Sequence, residues 1–123
     1  MAGAEVLLAS PIEWSVRTTG TNTTVTASKA ASGVGFRHYV FGLSFSSSDQ
    51  PAASVEVQLR KDAGATILDG WQIPVAKIAP IVINYLSHPF ESSDNGDIDL
   101  NIPSFGAGVT TVAVLKGTTR SRG

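Results

Sequence analysis

Short segments of alternating polar and apolar residues, separated by turn residues, limit the folds open to this chain. About eight such segments follow one another at spacings of roughly 8–15 residues, and no helical periodicity lasts longer than one turn. A period of two places successive side chains on opposite faces of a strand. Eight short strands in one chain suit two packed sheets, so the sequence predicts an all-β fold. We expect an eight-stranded, jelly-roll-like antiparallel β-sandwich.

Two segments show this alternation without interruption. In residues 97–102 the apolar side chains Ile98, Leu100 and Ile102 are separated by short acidic and amide side chains. Residues 55–60 repeat the pattern with valine and leucine against charged and amide side chains. Both segments predict strands with one buried and one solvated face.

Residues 36–48 (FRHYVFGLSFSSS) hold the densest group of aromatic side chains and predict a central strand. An unbroken period of two assigns four large side chains to the core, namely Tyr39, Phe41, Leu43 and Phe45. The other face carries the smaller side chains His38, Val40 and Gly42. We expect this face to point outward, where Gly42 would permit a neighbouring subunit to approach closely.

The length of 123 residues corresponds to a single domain. We divide the chain into an N-terminal arm (residues 1–11), a β-sandwich domain (residues 12–117) and a C-terminal tail (residues 118–123). The arm contains three consecutive apolar residues, which we expect to pack on a neighbour together with the outward face of the aromatic strand. The candidate interface residues are Val6, Leu7, Leu8, His38 and Gly42.

Charge and cysteine content exclude several functional classes. The net charge is −1, so the chain has no general attraction to nucleic acid or to an anionic membrane. No apolar run approaches the ~18 residues of a membrane-spanning helix. Cysteine is absent, which excludes disulfides and cysteine–metal sites. Nucleic acid and membrane are therefore not expected partners.

No group of residues in the sequence indicates catalysis. His38 and His88 are the only histidines, and they share no metal-binding motif. No serine lies in a nucleophile-elbow motif, and no glycine-rich segment carries the lysine of a phosphate loop. We therefore predict no enzymatic activity, no catalytic residues, no cofactor and no metal site.

Residues 94–99 (DNGDID) allow two interpretations. Oxygen ligands close together in sequence are what Ca²⁺ requires, although the spacing does not match an EF-hand loop. Asn95-Gly96 is also a hairpin-turn signal, and Asp97 and Asp99 fall on the polar face of a strand. We favour a turn followed by a solvated face, with a calcium site as the alternative.

Exposed aromatic rings suggest a different function, the binding of a glycan. Trp14 alternates with apolar neighbours and is therefore assigned to the core. Trp71 follows a glycine at the edge of a loop, which favours an exposed ring. Together with two loop aromatics it forms the candidate ligand platform Trp71, Phe90 and Phe105.

Five segments carry a resemblance to a known family: residues 37–46 (RHYVFGLSFS), 55–59 (VEVQL), 86–90 (LSHPF), 96–100 (GDIDL) and 112–117 (VAVLKG). They resemble small jelly-roll virion proteins of bacteriophages, in particular capsid decoration (cement) proteins. The resemblance implies a homotrimer that is made in the host cytoplasm, binds the major capsid protein and stabilises the assembled shell at the capsid surface. A structural virion protein is therefore the leading hypothesis, and a carbohydrate-binding or receptor-binding β-sandwich module is the alternative.

Overall fold

The computed structural model describes residues 12–77 and 79–121, which form nine strands. The strands are β1 (Ile12–Thr21), β2 (Val25–Lys29), β3 (Phe36–Ser47), β4 (Val55–Lys61), β5 (Thr66–Ile73), β6 (Ile81–Asn84), β7 (Phe90–Glu91), β8 (Ile98–Ile102) and β9 (Thr110–Ser121). The described part of the chain contains no helix with the length and apolarity that a membrane crossing requires. The arm expected at residues 1–11, with Val6, Leu7 and Leu8, lies outside the described residues.

The strands form two antiparallel sheets. The first has the order β1-β9-β3-β6, with the two-residue β7 also paired to β3, and the second has the order β2-β8-β4-β5. The pairs are nested, since β4 pairs β5, β3 pairs β6, β2 pairs β8 and β1 pairs β9. Apart from β7, this nesting is that of an eight-stranded jelly roll, so the predicted fold class is confirmed.

Apolar side chains from both sheets fill the space between them. Leu59 and Leu100 from the second sheet are fully buried, as is Leu115 from the first. Burial of each such side chain contributes roughly 1.5–3 kcal/mol to folding. The other fully buried apolar residues include Val25, Ala27, Val40, Val57, Ile98, Ile102 and Ala113. The alternation in residues 55–60 and 97–102 therefore identified the core face of β4 and β8 correctly. The solvated position predicted for Asp99 is wrong, because Asp99 is buried and paired with Arg60.

Strand β3 departs from the predicted alternation because it contains a bulge. Its register against β9 shifts between Val40 and Gly42, which leaves Phe41 as an extra residue. Val40 pairs with Gly117 before the bulge, and Leu43 pairs with Leu115 after it. Leu43 and Phe45 are buried as predicted.

The first half of β3 is therefore reversed relative to our prediction. His38 and Val40 are buried, whereas Tyr39 and Phe41 are partly exposed and line a surface groove. The expected outward position of His38 is wrong, because an unbroken period of two cannot describe a strand with an inserted residue. A glycine within a strand pattern is a recognised signal for a bulge, and Gly42 lies directly after the inserted residue.

Strand β9 extends beyond the predicted end of the sandwich domain at residue 117. Gly117 pairs with Trp14 of β1, and a Cβ atom there would lie 2.6 Å from Trp14 Cζ2. Gly117 thus makes room for the indole ring and does not end the strand. Residues 118–121, which we expected in the C-terminal tail, pair with both β1 and β3 or with β3 alone.

Two strands continue through positions that do not favour a strand. Strand β1 passes through Gly20, and the chain turns at Asn22, whose φ is 53°. Strand β5 continues through Gly70 to Ile73, so Trp71 lies within a strand and not at the edge of a loop as we predicted. In both cases the pairing partner supports a segment whose own sequence is weakly strand-forming.

Candidate functional site

The outer face of the β1-β9-β3-β6 sheet carries two adjoining depressions. The first has a volume of about 280 Å³ and is lined by Glu13, Tyr39, Phe41, Leu86, Pro89, Thr118 and Arg120. The second has a volume of about 390 Å³ and is lined by Glu13, Trp14, Ser15, Phe41 and Lys116. Glu13 and Phe41 line both, so the two depressions adjoin, and we refer to them together as the outer groove.

Cross-strand pairing builds the floor of the first depression. Glu13 of β1 is directly opposite Thr118 of β9, and Thr118 is opposite Tyr39 of β3. Tyr39 is in turn opposite Glu91 of β7. Residues opposite one another in antiparallel strands share a face, so four residues that are distant in sequence form one row across the sheet.

A second row of paired residues contributes Ser15 and Lys116 to the other depression. Ser15 is opposite Lys116, which is opposite Gly42, and Gly42 is opposite Asn84 of β6. Gly42 and Asn84 line a separate, smaller depression, which shares Lys116 with the second. Phe41, the inserted residue of the bulge, lies between the two rows and contributes to both depressions.

The connection between β6 and β7 forms one wall of the outer groove. Leu86 and Pro89 line the groove from this connection, and Leu86 is 73% exposed. The backbone N–H of Tyr85 donates a hydrogen bond of 2.7 Å to the carbonyl oxygen of Phe41. The wall is thus attached to the bulged residue of β3.

The Tyr85 side chain attaches this wall to the opposite sheet. Its hydroxyl donates to Oδ2 of Asp69 on β5 at 2.8 Å, and its ring makes an edge contact with Phe90 at 4.8 Å. Partial burial, followed by the hydrogen bond to Asp69, raises the pKa of Tyr85 far above its usual value. The hydroxyl therefore remains a donor across the physiological pH range.

His38 lies beneath the groove, and both of its ring nitrogens have hydrogen-bond partners within the protein. Its Nδ1 is 2.7 Å from Thr119 Oγ1, and its Nε2 is 2.7 Å from the carbonyl oxygen of Ala30. The ring also makes an edge contact with Trp14 at 5.7 Å. Burial lowers the pKa of His38 below its usual value, so the ring is neutral at pH 7.

The charged residues of the groove are unevenly distributed. Arg120 lies over the Tyr39 ring, with its Cζ 5.2 Å from the ring centroid, a cation–π arrangement. Lys116 is exposed on the same face of β9. In the part of the chain that the structure describes, Glu13 is the only carboxylate that lines the two depressions.

The acidic segment at residues 94–99 makes contacts within the protein. Oδ1 of Asp97 accepts a hydrogen bond of 2.8 Å from the backbone N–H of Ala63, and Oδ1 of Asp99 pairs with Arg60 Nε at 2.9 Å. Asn95 has a φ of 51°, as expected for a turn. Within the described residues, no three His, Cys, Asp or Glu side chains come together as a group that could hold a metal ion.

The three aromatics of the predicted platform do not form one exposed surface. Phe105 is 2% exposed and belongs to the core. Trp71 is half-buried and packs against Phe45 with a centroid distance of 6.0 Å, and Phe90 packs against Tyr85. The outward aromatic pair is Tyr39 and Phe41, which strict alternation had assigned to the core.

No protein-family model matches the chain, and no curated protein matches it. Three solved structures with a similar fold are carbohydrate-binding modules. One, described as "CBM4 structure and function", is 9% identical, covers 90% of this chain and 94% of its own, and has a TM-score of 0.40. A carbohydrate-binding module CBM36 in complex with calcium and xylotriose is 13% identical, with 89% and 98% covered and a TM-score of 0.42.

The third structure is the CBM36-1 domain of a multidomain xylanase from the hindgut metagenome of Trinervitermes trinervoides. It is 14% identical, with 87% of this chain and 94% of that chain covered and a TM-score of 0.39. At these identities the likeness concerns the fold alone.

These comparisons contradict the expected membership of the capsid decoration proteins, because the structures they identify are carbohydrate-binding modules. The same finding contradicts the expected localisation in a virion. It also gives no support to a homotrimer that binds the major capsid protein. The resemblance depended on strand order and composition. Many jelly rolls with serine- and threonine-rich surfaces share both features, so neither identifies a partner.

Proposed function

We propose that this chain is a non-catalytic carbohydrate-binding module that binds a glycan in the outer groove. The observation that carries the proposal is the outward pair Tyr39 and Phe41, which the bulge in β3 places in a groove that also holds a few polar side chains. The proposal agrees with the fold likeness to carbohydrate-binding modules, but it rests on the residues of the groove itself.

A sugar ring presents an apolar C–H face and an edge of hydroxyl groups. The outer groove offers matching surfaces, since Tyr39 and Phe41 supply flat apolar area and Leu86 and Pro89 extend it. Glu13 accepts hydrogen bonds, and the Thr118 hydroxyl both donates and accepts. Apolar lining with a few convergent polar groups is the usual composition of a ligand site.

The shape of the groove favours a chain over a compact ligand. The first depression begins at the wall formed by Leu86 and Pro89, and the second extends to Trp14 and Ser15 on β1, the edge strand. A further depression, lined by residues 84–88, shares Leu86 with the first. The three depressions therefore lie next to one another along the sheet, an arrangement that suits several linked sugar units.

Affinity gel electrophoresis against a panel of neutral and acidic polysaccharides tests the proposal. We expect at least one polysaccharide to retard the protein, and Phe41→Ala to weaken that binding by about tenfold or more. The matched control is Ile67→Ala, which truncates an exposed apolar side chain on the other sheet. The proposal fails if no polysaccharide retards the protein, or if Phe41→Ala binds as tightly as the Ile67→Ala control.

A further inference from the structure

We infer that the glycan bound in the outer groove is anionic, a chain carrying carboxylate groups of the uronic acid type, and that Arg120 binds the carboxylate. This inference rests on the proposed function, because it names the class of glycan for the same groove.

The first observation is a pair of like charges on adjacent strands. Arg37 of β3 is directly opposite Arg120 of β9, and like charges in this position destabilise a sheet. Arg37 is neutralised locally, because its Nη1 lies 3.0 Å from Oε1 of Glu91. Within residues 12–77 and 79–121, no ion pair joins Arg120 to a carboxylate. Among the described residues, the pair of arginines thus has one carboxylate partner, Glu91.

The second observation is the position of the Arg120 guanidinium. It lies 5.2 Å from the centroid of the Tyr39 ring, and Arg120 and Tyr39 both line the first depression. Contact with an aromatic ring restricts the guanidinium while leaving N–H groups at its edge for a ligand. A planar guanidinium matches a carboxylate with two parallel hydrogen bonds. Arg120 is therefore positioned to bind a carboxylate next to a sugar ring stacked in the groove.

The third observation is a second cation along the same path. Lys116 lies on the same face of β9, four residues from Arg120, a separation of about 13 Å along the strand. Counting the described residues, the lining of the groove carries two positive charges, Arg120 and Lys116, and one negative charge, Glu13. A glycan with a carboxylate on repeated units could contact both cations, which one sugar is too small to do.

The excess positive charge is local to the groove. The whole chain has a net charge of −1, so it has no general attraction for polyanions. Binding of an acidic glycan would therefore depend on the particular cations that line the groove.

A matched pair of glycans tests the inference with the full-length protein. Polygalacturonate and its fully methyl-esterified form have the same sugar backbone, but only the first carries carboxylates. We expect isothermal titration calorimetry at low salt to show about ten- to hundredfold tighter binding of polygalacturonate. Added salt should reduce the difference, because it screens exposed charges.

Three variants test whether Arg120 causes the preference for the carboxylated glycan. Arg120→Gln should abolish most of the preference for the carboxylated glycan, and Arg120→Lys should retain part of it because the charge remains. The control is Arg17→Gln, an exposed arginine of β1 that does not line the two depressions. It should leave the preference unchanged. An unaltered preference in Arg120→Gln would overturn the assignment.

The remaining outcomes separate this inference from the proposed function. Equal affinity for the two forms of polygalacturonan, or binding of neutral glycans alone, overturns the inference and leaves the proposed function standing. Dextran sulfate binding as tightly as polygalacturonate also overturns it, since the groove would then attract any polyanion. If the protein binds none of the glycans tested, both the inference and the proposed function are overturned.

Discussion

Val40 and Leu43 both point into the core of the sandwich, although they are three positions apart in one strand. Strict alternation would place them on opposite faces. Their side chains are 0% and 2% exposed. Phe41 is an inserted residue that shifts the alternation by one position, so the side chain of Leu43 faces the core as that of Val40 does. The same insertion turns the Tyr39 and Phe41 rings toward solvent, where they line the groove.

Truncation of the two apolar side chains beside the bulge should have unequal effects on stability. Leu43→Ala should lower the free energy of unfolding by about 2–5 kcal/mol, because Leu43 is buried in the core. Phe41→Ala should lower it by only about 1 kcal/mol, because the ring is partly exposed. Urea denaturation measures both values. Equal losses would mean that Phe41 is a core residue and that the bulge is misplaced.

Gly117→Ala should destabilise the protein. An added methyl group would lie 2.6 Å from Trp14 Cζ2 and even closer to the backbone oxygen of Tyr39, which cannot readily move. Overpacking of this kind costs about 1–3 kcal/mol. The matched control is Gly42→Ala, where the nearest atom is Asn84 Oδ1 at 3.5 Å, so we expect little loss. Thermal unfolding followed by circular dichroism would show whether the two variants differ.

Stability should decrease in mildly acidic solution because of His38. Burial, as the largest cause, lowers the pKa of His38 below 6.5, and Lys29 lowers it further. The hydrogen bond to Ala30 and the charge of Asp97 act in the opposite direction. Below pH 6.5 the unfolded chain therefore binds a proton at this position more readily than the folded protein does.

The stabilisation from neutral His38 is therefore complete above pH 6.5 and is lost as the pH falls toward the lowered pKa of the folded state. Urea denaturation between pH 8 and pH 5 measures this loss. Nuclear magnetic resonance of the imidazole protons gives the titration midpoint directly. A midpoint at or above 6.5 would contradict the prediction.

Trp71→Ala should reduce stability without reducing glycan affinity. Trp71 is half-buried and packs against Phe45, so its removal should cost about 2 kcal/mol or more. It does not line the outer groove. Calorimetric unfolding and affinity electrophoresis of the same sample measure the two properties. Lost glycan binding in a well-folded Trp71→Ala protein would instead support the platform predicted from the sequence.

Most strand positions and much of the core follow from the amino-acid sequence alone, because the period of two is a local property. Ile98, Leu100 and Ile102 were assigned to the core from residues 97–102 and are fully buried. The number of strands and their short connections were enough to predict a sandwich. Gly42 within β3 was the available signal for the bulge, although it does not show which neighbour is inserted.

The groove itself is decided by tertiary structure. Glu13, Tyr39 and Thr118 become neighbours only through the register of β1, β9 and β3, which depends on contacts between distant parts of the chain. The opposition of Arg37 and Arg120 has the same origin. Local alternation determines which side chains share a face of a strand. Cross-strand pairing and a single inserted residue decide which face packs against the core, and pairing also decides which charged side chains become neighbours.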